Sequence, residues 1–337
     1  MPVYLAVSLD VEEEGLFGGN YQTQGYTVTN TQSLPSLAPL FCLGIRPTLF
    51  CAYSVITDPR SVAILTHLRD TYGAELAAHL HHWNTPPIAP NLPPIVHRVP
   101  ASSLSDTLFS EKLSHLLEAG EHAFGAPMTS FRMGRWDIHK HHFPLLRRLG
   151  ITCDASVRPL HGTCERSANP DHFDAPSTPY VIPTAEGDLF EVPLTVTPIL
   201  ASLPRLLQNK GLSPTLTRCM NWLKSTTNYW GALALLPAYH PLWAMELVTK
   251  LYLARGGKLL SLTWHSSEIH PGGAPHIPDQ AHADKLLHKV TSYISWLKQH
   301  YDICCLPMAE LRQRLKAQSP TLVAETGDWT VAHPSHD

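Results

Sequence analysis

The chain has 337 residues, 44% of them apolar and 16% charged, which is enough apolar material for a sizeable core and far from the composition of a disordered segment. Its formal charge is -3 with neutral histidines and no Lys/Arg-rich run interrupts it, so the electrostatic footprint of a nucleic-acid binder is missing. Seven cysteines, odd in number and without CxxC spacing, point to neither a zinc-thiolate site nor a disulfide framework.

Residues 3 to 9, VYLAVSL, form a short apolar run closed by acidic residues, the pattern of a buried parallel strand whose C-terminal end delivers polar groups. No basic leader precedes it and it turns acidic too soon for a signal peptide or a membrane span, so a cytoplasmic protein is expected. A second run, Thr48 to Tyr53, precedes a helical segment from about Pro59 to Tyr72. That segment puts Ile64, Leu65 and Leu68 on one face, with Gly73 placed to cap its end. Ala74 to Ala78 then reads as a strand leading into His79, completing a βαβ unit. The alternation continues with a helix from Ser105 to Phe124, a strand into Phe131-Arg132, a helix from Phe143 to Leu149 and a strand from Ile151 to Asp154. Asp188 to Leu194 is a further strand. Residues 202 to 255, which carry Trp222, Trp230 and Trp243, read as a mostly helical insertion. Lys258 to Trp264 is an apolar strand delivering His265, and Asp284 to His300 is an amphipathic helix. Residues 316 to 337 are polar and Pro-punctuated, the composition of a mobile tail. This alternation predicts an α/β fold, a parallel sheet with helices outside it, as a single domain over 1 to 315.

In such folds a site is built at the C-terminal ends of different strands. Five segments meet that condition: Asp10 to Glu14, His79 to Trp83, Phe131 to Trp136, Asp154 to Ser156 and Trp264 to Glu268. Histidine is abundant, at 21 residues, and the cluster His79, His81, His82 suits metal binding or proton transfer. The cluster His139, His141, His142 reads more simply as surface or helix-end histidines.

The order and spacing of these segments resemble the polysaccharide deacetylases over roughly residues 3 to 312, most of all the HLHPW-bearing branch associated with lipopolysaccharide biosynthesis. The resemblance implies a distorted (β/α) barrel of about seven parallel strands. SLDVEEEG occupies the place of the family's acidic motif, which makes Asp10 the expected base and Glu12 a metal ligand. YGAELAAH matches the strand ending in a ligand His, here His79. SFRMGRW matches the motif whose Arg contacts the base, giving Arg132 that role with Arg135 as a competitor, and SLTWHSS matches the motif that supplies the general acid, His265. Asp154 is placed to orient a neighbouring His or Arg.

The family places its second ligand His four residues after the first, where this chain has Trp83. Residues two apart along an extended strand end project to the same side, so His81 is the expected second ligand, with His82 in reserve. Trp83, Trp136 and Trp264 are candidates for the floor of a sugar site. The resemblance implies one divalent transition metal, zinc first, and hydrolysis of a non-peptide carbon-nitrogen bond by N-deacetylation of a small or lipid-linked carbohydrate. Two alternatives remain open at the level of sequence: a metal-independent amide or cyclic-amide hydrolase of the allantoinase type, and a catalytically silent glycan-binding barrel.

Overall fold

The computed structural model describes residues 2–97, 100–161, 170–201, 232–323 and 329–332. Seven strands lie side by side and parallel, in chain order β1 (Val3–Val11), β2 (Thr48–Ala52), β3 (Glu75–Leu80), β4 (Ser130–Met133), β5 (Cys153–Asp154), β6 (Leu189–Glu191) and β7 (Leu259–His265). Their order across the sheet is β7-β1-β2-β3-β4-β5-β6. The sheet curls, and the gap between its first and last parallel strands is spanned by the segment after β6: Thr195 N–H donates to Ser261 O at 3.3 Å, and Ser261 N–H donates to the Thr195 hydroxyl at 2.7 Å. The parallel sheet with outer helices expected from the strand pattern, and the distorted barrel implied by the family resemblance, are the observed architecture.

The strands form where β-branched and apolar residues run without interruption, because both faces are covered. Leu5, Leu9 and Val11 of β1 and Leu49, Phe50 and Cys51 of β2 are fully buried. The helices lie outside: α1 (Pro59–Tyr72), α2 (Asp106–Phe124), α3 (His142–Arg148), α4 (Leu242–Ala254), α5 (Gln280–His300) and α6 (Met308–Leu315). Their ends are written in the sequence. Asp58 accepts from Ser61 N–H at the start of α1 and Ser105 from Leu108 N–H at the start of α2. Gly73, at φ 69, supplies the left-handed residue that ends α1.

Two stretches carry strands that the sequence pattern did not announce. Within the predicted helical insertion, α4 is helical, but Ala232–Ala234 is a strand paired antiparallel with Val196–Pro198; residues 202–231, with Trp222 and Trp230, lie outside the described residues. In the predicted tail, Thr321–Leu322 pairs with Tyr180–Ile182 and with Val331–Ala332, extending the sheet beyond β6. The reason is local hydrophobicity. Leu322 is buried, and the Trp329 ring packs edge-on to those of His172 and Tyr180. Residues 324–328 and 333–337 lie outside the described residues.

Candidate active site

The parallel register collects the candidate residues at one rim. Asp10 on β1 pairs with His265 on β7, and His79 on β3 pairs with Ala52 on one side and Arg132 on β4 on the other. Residues distant in sequence therefore become neighbours because every strand ends at the same level.

Arg132 is 1% exposed and uses its whole fork. Its Nη1 donates to Asp10 Oδ1 at 2.5 Å and to the Thr263 hydroxyl at 2.8 Å, Nη2 donates to the Ser8 hydroxyl at 2.9 Å, and Nε donates to Ala155 O at 3.0 Å. The guanidinium lies between the Phe50 and Trp136 rings, 4.2 and 4.9 Å from their centroids. A buried cation needs such saturation, since an unpaired one costs several kcal/mol. One oxygen of Asp10 is thus fixed, while Oδ2 lies 3.9 Å from His265 Nε2.

The second cluster is Glu12, His79 and His81, all buried, with one donor atom from each within 4.8 Å of the others. His79 Nδ1 is held by Arg132 O at 3.0 Å, which aims its Nε2 at Glu12 Oε2, 3.3 Å away. His81 repeats this arrangement. Its Nδ1 is held by Glu13 Oε1 at 2.8 Å, and its Nε2 is also 3.3 Å from Glu12 Oε2. Ligand atoms about 2.0–2.2 Å from a tetrahedral ion lie roughly 3.3–3.6 Å apart, so this two-nitrogen, one-oxygen set fits a small divalent cation, with each imidazole oriented by an outer hydrogen bond.

Burial by itself would raise the Glu12 carboxyl, but the charge of His265 and the bonds from His79 and His81 hold it well below the usual carboxylate range. Burial would lower His81. The charge of Glu13 and the bonds to Glu12 and Glu13 overcome this and push it up to about 10, so a proton and a cation compete for the same Nε2. His82, the reserve ligand, is outside this group; it is buried with its ring edge-on to Trp83.

His265 stands opposite, with Nδ1–H donating to Glu268 Oε2 at 2.9 Å. Burial would lower the imidazole, but Glu268 first, then Glu12 and Asp10, raise it to about 10. The site therefore holds a cationic imidazole facing a carboxylate oxygen, which is a proton donor set against a proton acceptor.

Of the three tryptophans expected to floor a sugar site, Trp83 and Trp264 are each 1% exposed and packed in the interior, which leaves Trp136 as the one with a partly open face. Trp83 instead stacks on His81 at 4.3 Å and donates from Nε1 to Glu13 Oε1. Arg135, the competitor of Arg132, is exposed and lies over Tyr21 rather than beside Asp10. Among the described residues Asp154 has no hydrogen bond to a His or Arg side chain. It accepts from the Ser156 hydroxyl and faces Glu191 on β6, and burial pushes the carboxyls of both upward.

Two residues went unassigned in the sequence reading. Glu13 binds Ser54, His81, Trp83 and Asn84, and Glu268 orients His265. In a run of three glutamates nothing distinguishes the middle one; for Glu268, its spacing three residues after His265 at a strand end was a usable signal. A cavity of about 550 Å³ beside the rim is walled by Phe17, Gly18, His270 and Pro271 among others but by none of the residues of the two clusters, so chemistry rather than volume locates the site.

No protein-family model matches the chain. No curated protein matches it either. Solved structures do. A protein of Mycobacterium smegmatis assigned as a polysaccharide deacetylase superposes with a TM-score of 0.51 at 15% identity, over 94% of this chain and 90% of its own. This chain has its fold. A protein of Parabacteroides distasonis assigned as a glycoside hydrolase/deacetylase gives 0.54 at 11% identity, over 94% of this chain and 71% of its own. A 4-alpha-glucanotransferase from Thermococcus litoralis gives 0.53 at 9% identity, over 93% of this chain and 40% of its own. Names as different as deacetylase and glucanotransferase attach to one fold, so the reaction has to be argued from the side chains.

Proposed function

We propose that this protein is a metal-dependent hydrolase of a non-peptide carbon-nitrogen bond, an N-deacetylase acting on a carbohydrate. The observation that carries this reading is the convergence, on one rim, of the Glu12, His79, His81 donor set with the Arg132-held Asp10 and with His265, whose Nε2 faces Asp10. A divalent ion held by those three side chains, zinc first given two nitrogens and one oxygen, supplies Lewis acidity toward an amide carbonyl and makes a water easier to deprotonate.

The chain's own residues do the rest. Arg132 fixes Asp10 through Oδ1, so Oδ2 is turned to the site and takes the proton of the attacking water. His265, held through Nδ1, presents Nε2–H to the nitrogen of the scissile amide and protonates it as the carbon-nitrogen bond breaks. Water and the acetamide are consumed, acetic acid and the free amine are formed, and one proton passes from Asp10 back to His265 for the next cycle. The structural neighbours assigned as deacetylases support this reading over a silent barrel.

Elemental analysis of protein purified without chelators is the test, run beside acetate release from N-acetylated sugars. About one equivalent of a divalent transition metal is expected in the wild type and none in the His79→Ala, His81→Ala double variant, with acetate release following the metal. Full acetate release from metal-free wild-type protein would overturn metal dependence, and no release at any metal loading from a panel of N-acetyl sugars would overturn the deacetylase reading.

A further inference from the structure

Glu268 is fully buried, yet both of its oxygens are engaged. Oε2 accepts from the backbone N–H and from Nδ1–H of His265, each at 2.9 Å, and Oε1 accepts from Nε2 of a second imidazole, His276, at 2.8 Å. A carboxylate only accepts, so each ring donates.

The loop that brings His276 back to Glu268 is built for close approach. After the single turn Ser266–Ile269, Gly272 N–H donates to Ile277 O at 2.8 Å and Ile277 N–H donates to Ala274 O at 2.9 Å. A Cβ on Gly273 would lie 2.2 Å from the carbonyl oxygen of Ser267, so no side chain fits there. Ala274 and Ile277 are both buried and anchor the hairpin on either side of His276. The Phe17 ring stands edge-on to both imidazoles, at 5.2 Å from His265 and 5.4 Å from His276, and packs against the pair.

We propose that His276 is a positioning residue: it clamps Glu268 so that Glu268 holds the His265 ring with Nδ1–H inward and Nε2 facing Asp10 and the reacting nitrogen. The catalytic consequence rests on the amide-hydrolase reading above; the clamp does not. With His265 as its sole partner, Glu268 would bury one carboxylate oxygen without a donor, a state that costs free energy and that rotation of the carboxylate would relieve. The second imidazole removes that incentive and fixes the carboxylate plane. Because Nδ1 keeps its hydrogen throughout, the proton that moves is the one on Nε2. His276 therefore holds geometry and does not conduct a proton.

The test compares wild type, His276→Phe, which keeps the ring and loses the donor, and His276→Gln, which keeps a donor. In the free protein labelled with ¹⁵N-histidine, the His265 Nδ1–H is expected as a downfield, slowly exchanging signal in wild type and His276→Gln, and as one broadened by exchange with water in His276→Phe. In turnover of an N-acetyl sugar, His276→Phe is expected to lower kcat about tenfold with KM unchanged, the scale of one charge-assisted hydrogen bond, and His276→Gln to recover most of it. Persistence of the protected signal in His276→Phe, or no recovery by His276→Gln of a signal lost in folded His276→Phe, overturns the clamp whatever the activity. A signal lost and recovered as expected in a protein that turns over no N-acetyl sugar leaves the clamp standing and removes the amide-hydrolase reading instead.

Discussion

Arg132 and Asp10 show how much one residue pair is asked to do. Arg132, on β4, has four hydrogen bonds to three other segments, so its guanidinium ties β4 to β1, β7 and the end of β5 in one rim while fixing the base. Replacing it by lysine keeps the charge and loses the planar fork, which is why the exchange is not conservative here. Arg132→Lys is expected to lower kcat at least tenfold and to destabilise the fold by about 1–3 kcal/mol, the cost of leaving buried acceptors without a donor. Thermal melts beside acetate release measure both, and a variant with wild-type melting and turnover would contradict the dual role. Asp10→Asn is nearly isosteric and retains an oxygen for Arg132, but its amide cannot take a proton. Its expected signature is a kcat reduced about 10²- to 10⁴-fold with metal content unchanged. If the metal is lost with the activity, Asp10 is acting as a ligand rather than a base.

At the scale of elements, the rim depends on strand ends that carry the right residue at the right offset, and much of this was legible from the sequence. β1, β3 and β7 are apolar runs closed by Asp10, His79 and His265, and a run closed by a polar residue states both where a strand ends and what it delivers. The two-residue spacing of His79 and His81 likewise carried its geometry, because alternation along an extended chain puts both rings on one side. The burial of Trp83 and Trp264 was not legible, since an aromatic at a strand end looks the same whether its face is open or packed against other segments. Nor were the strands at Thr321–Leu322 and Val331–Ala332, because two-residue strands carry no periodicity. The turn after β4 carries a tighter constraint: a Cβ on Gly134 would lie 2.4 Å from Cδ2 of His81 and 2.9 Å from Leu80 O. Gly134→Ala should therefore push the His81 ring out of place and weaken metal binding about 10- to 100-fold, as disturbance of the shell around a ligand does. Isothermal titration with zinc reads this directly, and unchanged affinity would show that His81 is not a ligand.

For the molecule as a whole, the histidines that serve no chemistry set its response to acid. His142 is fully buried and stacked on Phe109 with centroids 4.1 Å apart; burial, aided by the charges of His141, His139 and His82, lowers its imidazole to about 3. His172, held through Nε2 by Ile138 O, is lowered by burial to about 4. A group whose pKa is depressed on folding contributes stability above its unfolded value near 6.5, and that stability drains away as the pH falls toward the folded value. Between pH 6.5 and 4.5 the unfolded chain therefore binds protons that the folded chain refuses. In the same window the raised imidazoles of His81 and His265 contribute a constant amount, because their stability is lost only as pH rises toward 10. The lowered carboxyl of Glu268, at about 2, holds its contribution until below pH 4.5. The Asp154 and Glu191 carboxyls, both raised, act in the opposite direction across this range, so the histidine contribution is best isolated as a difference between two proteins. His142→Phe keeps a flat ring against Phe109 and removes the titrating group. It is expected to lose roughly 1–3 kcal/mol less than wild type on acidification from pH 6.5 to 4.5, the linkage expected for one group depressed by more than two pH units. Urea melts of the two proteins at both pH values give that difference. Identical acid sensitivity would mean that His142 is protonated in the folded state and that the burial of this cluster is less complete than its packing on Phe109 indicates.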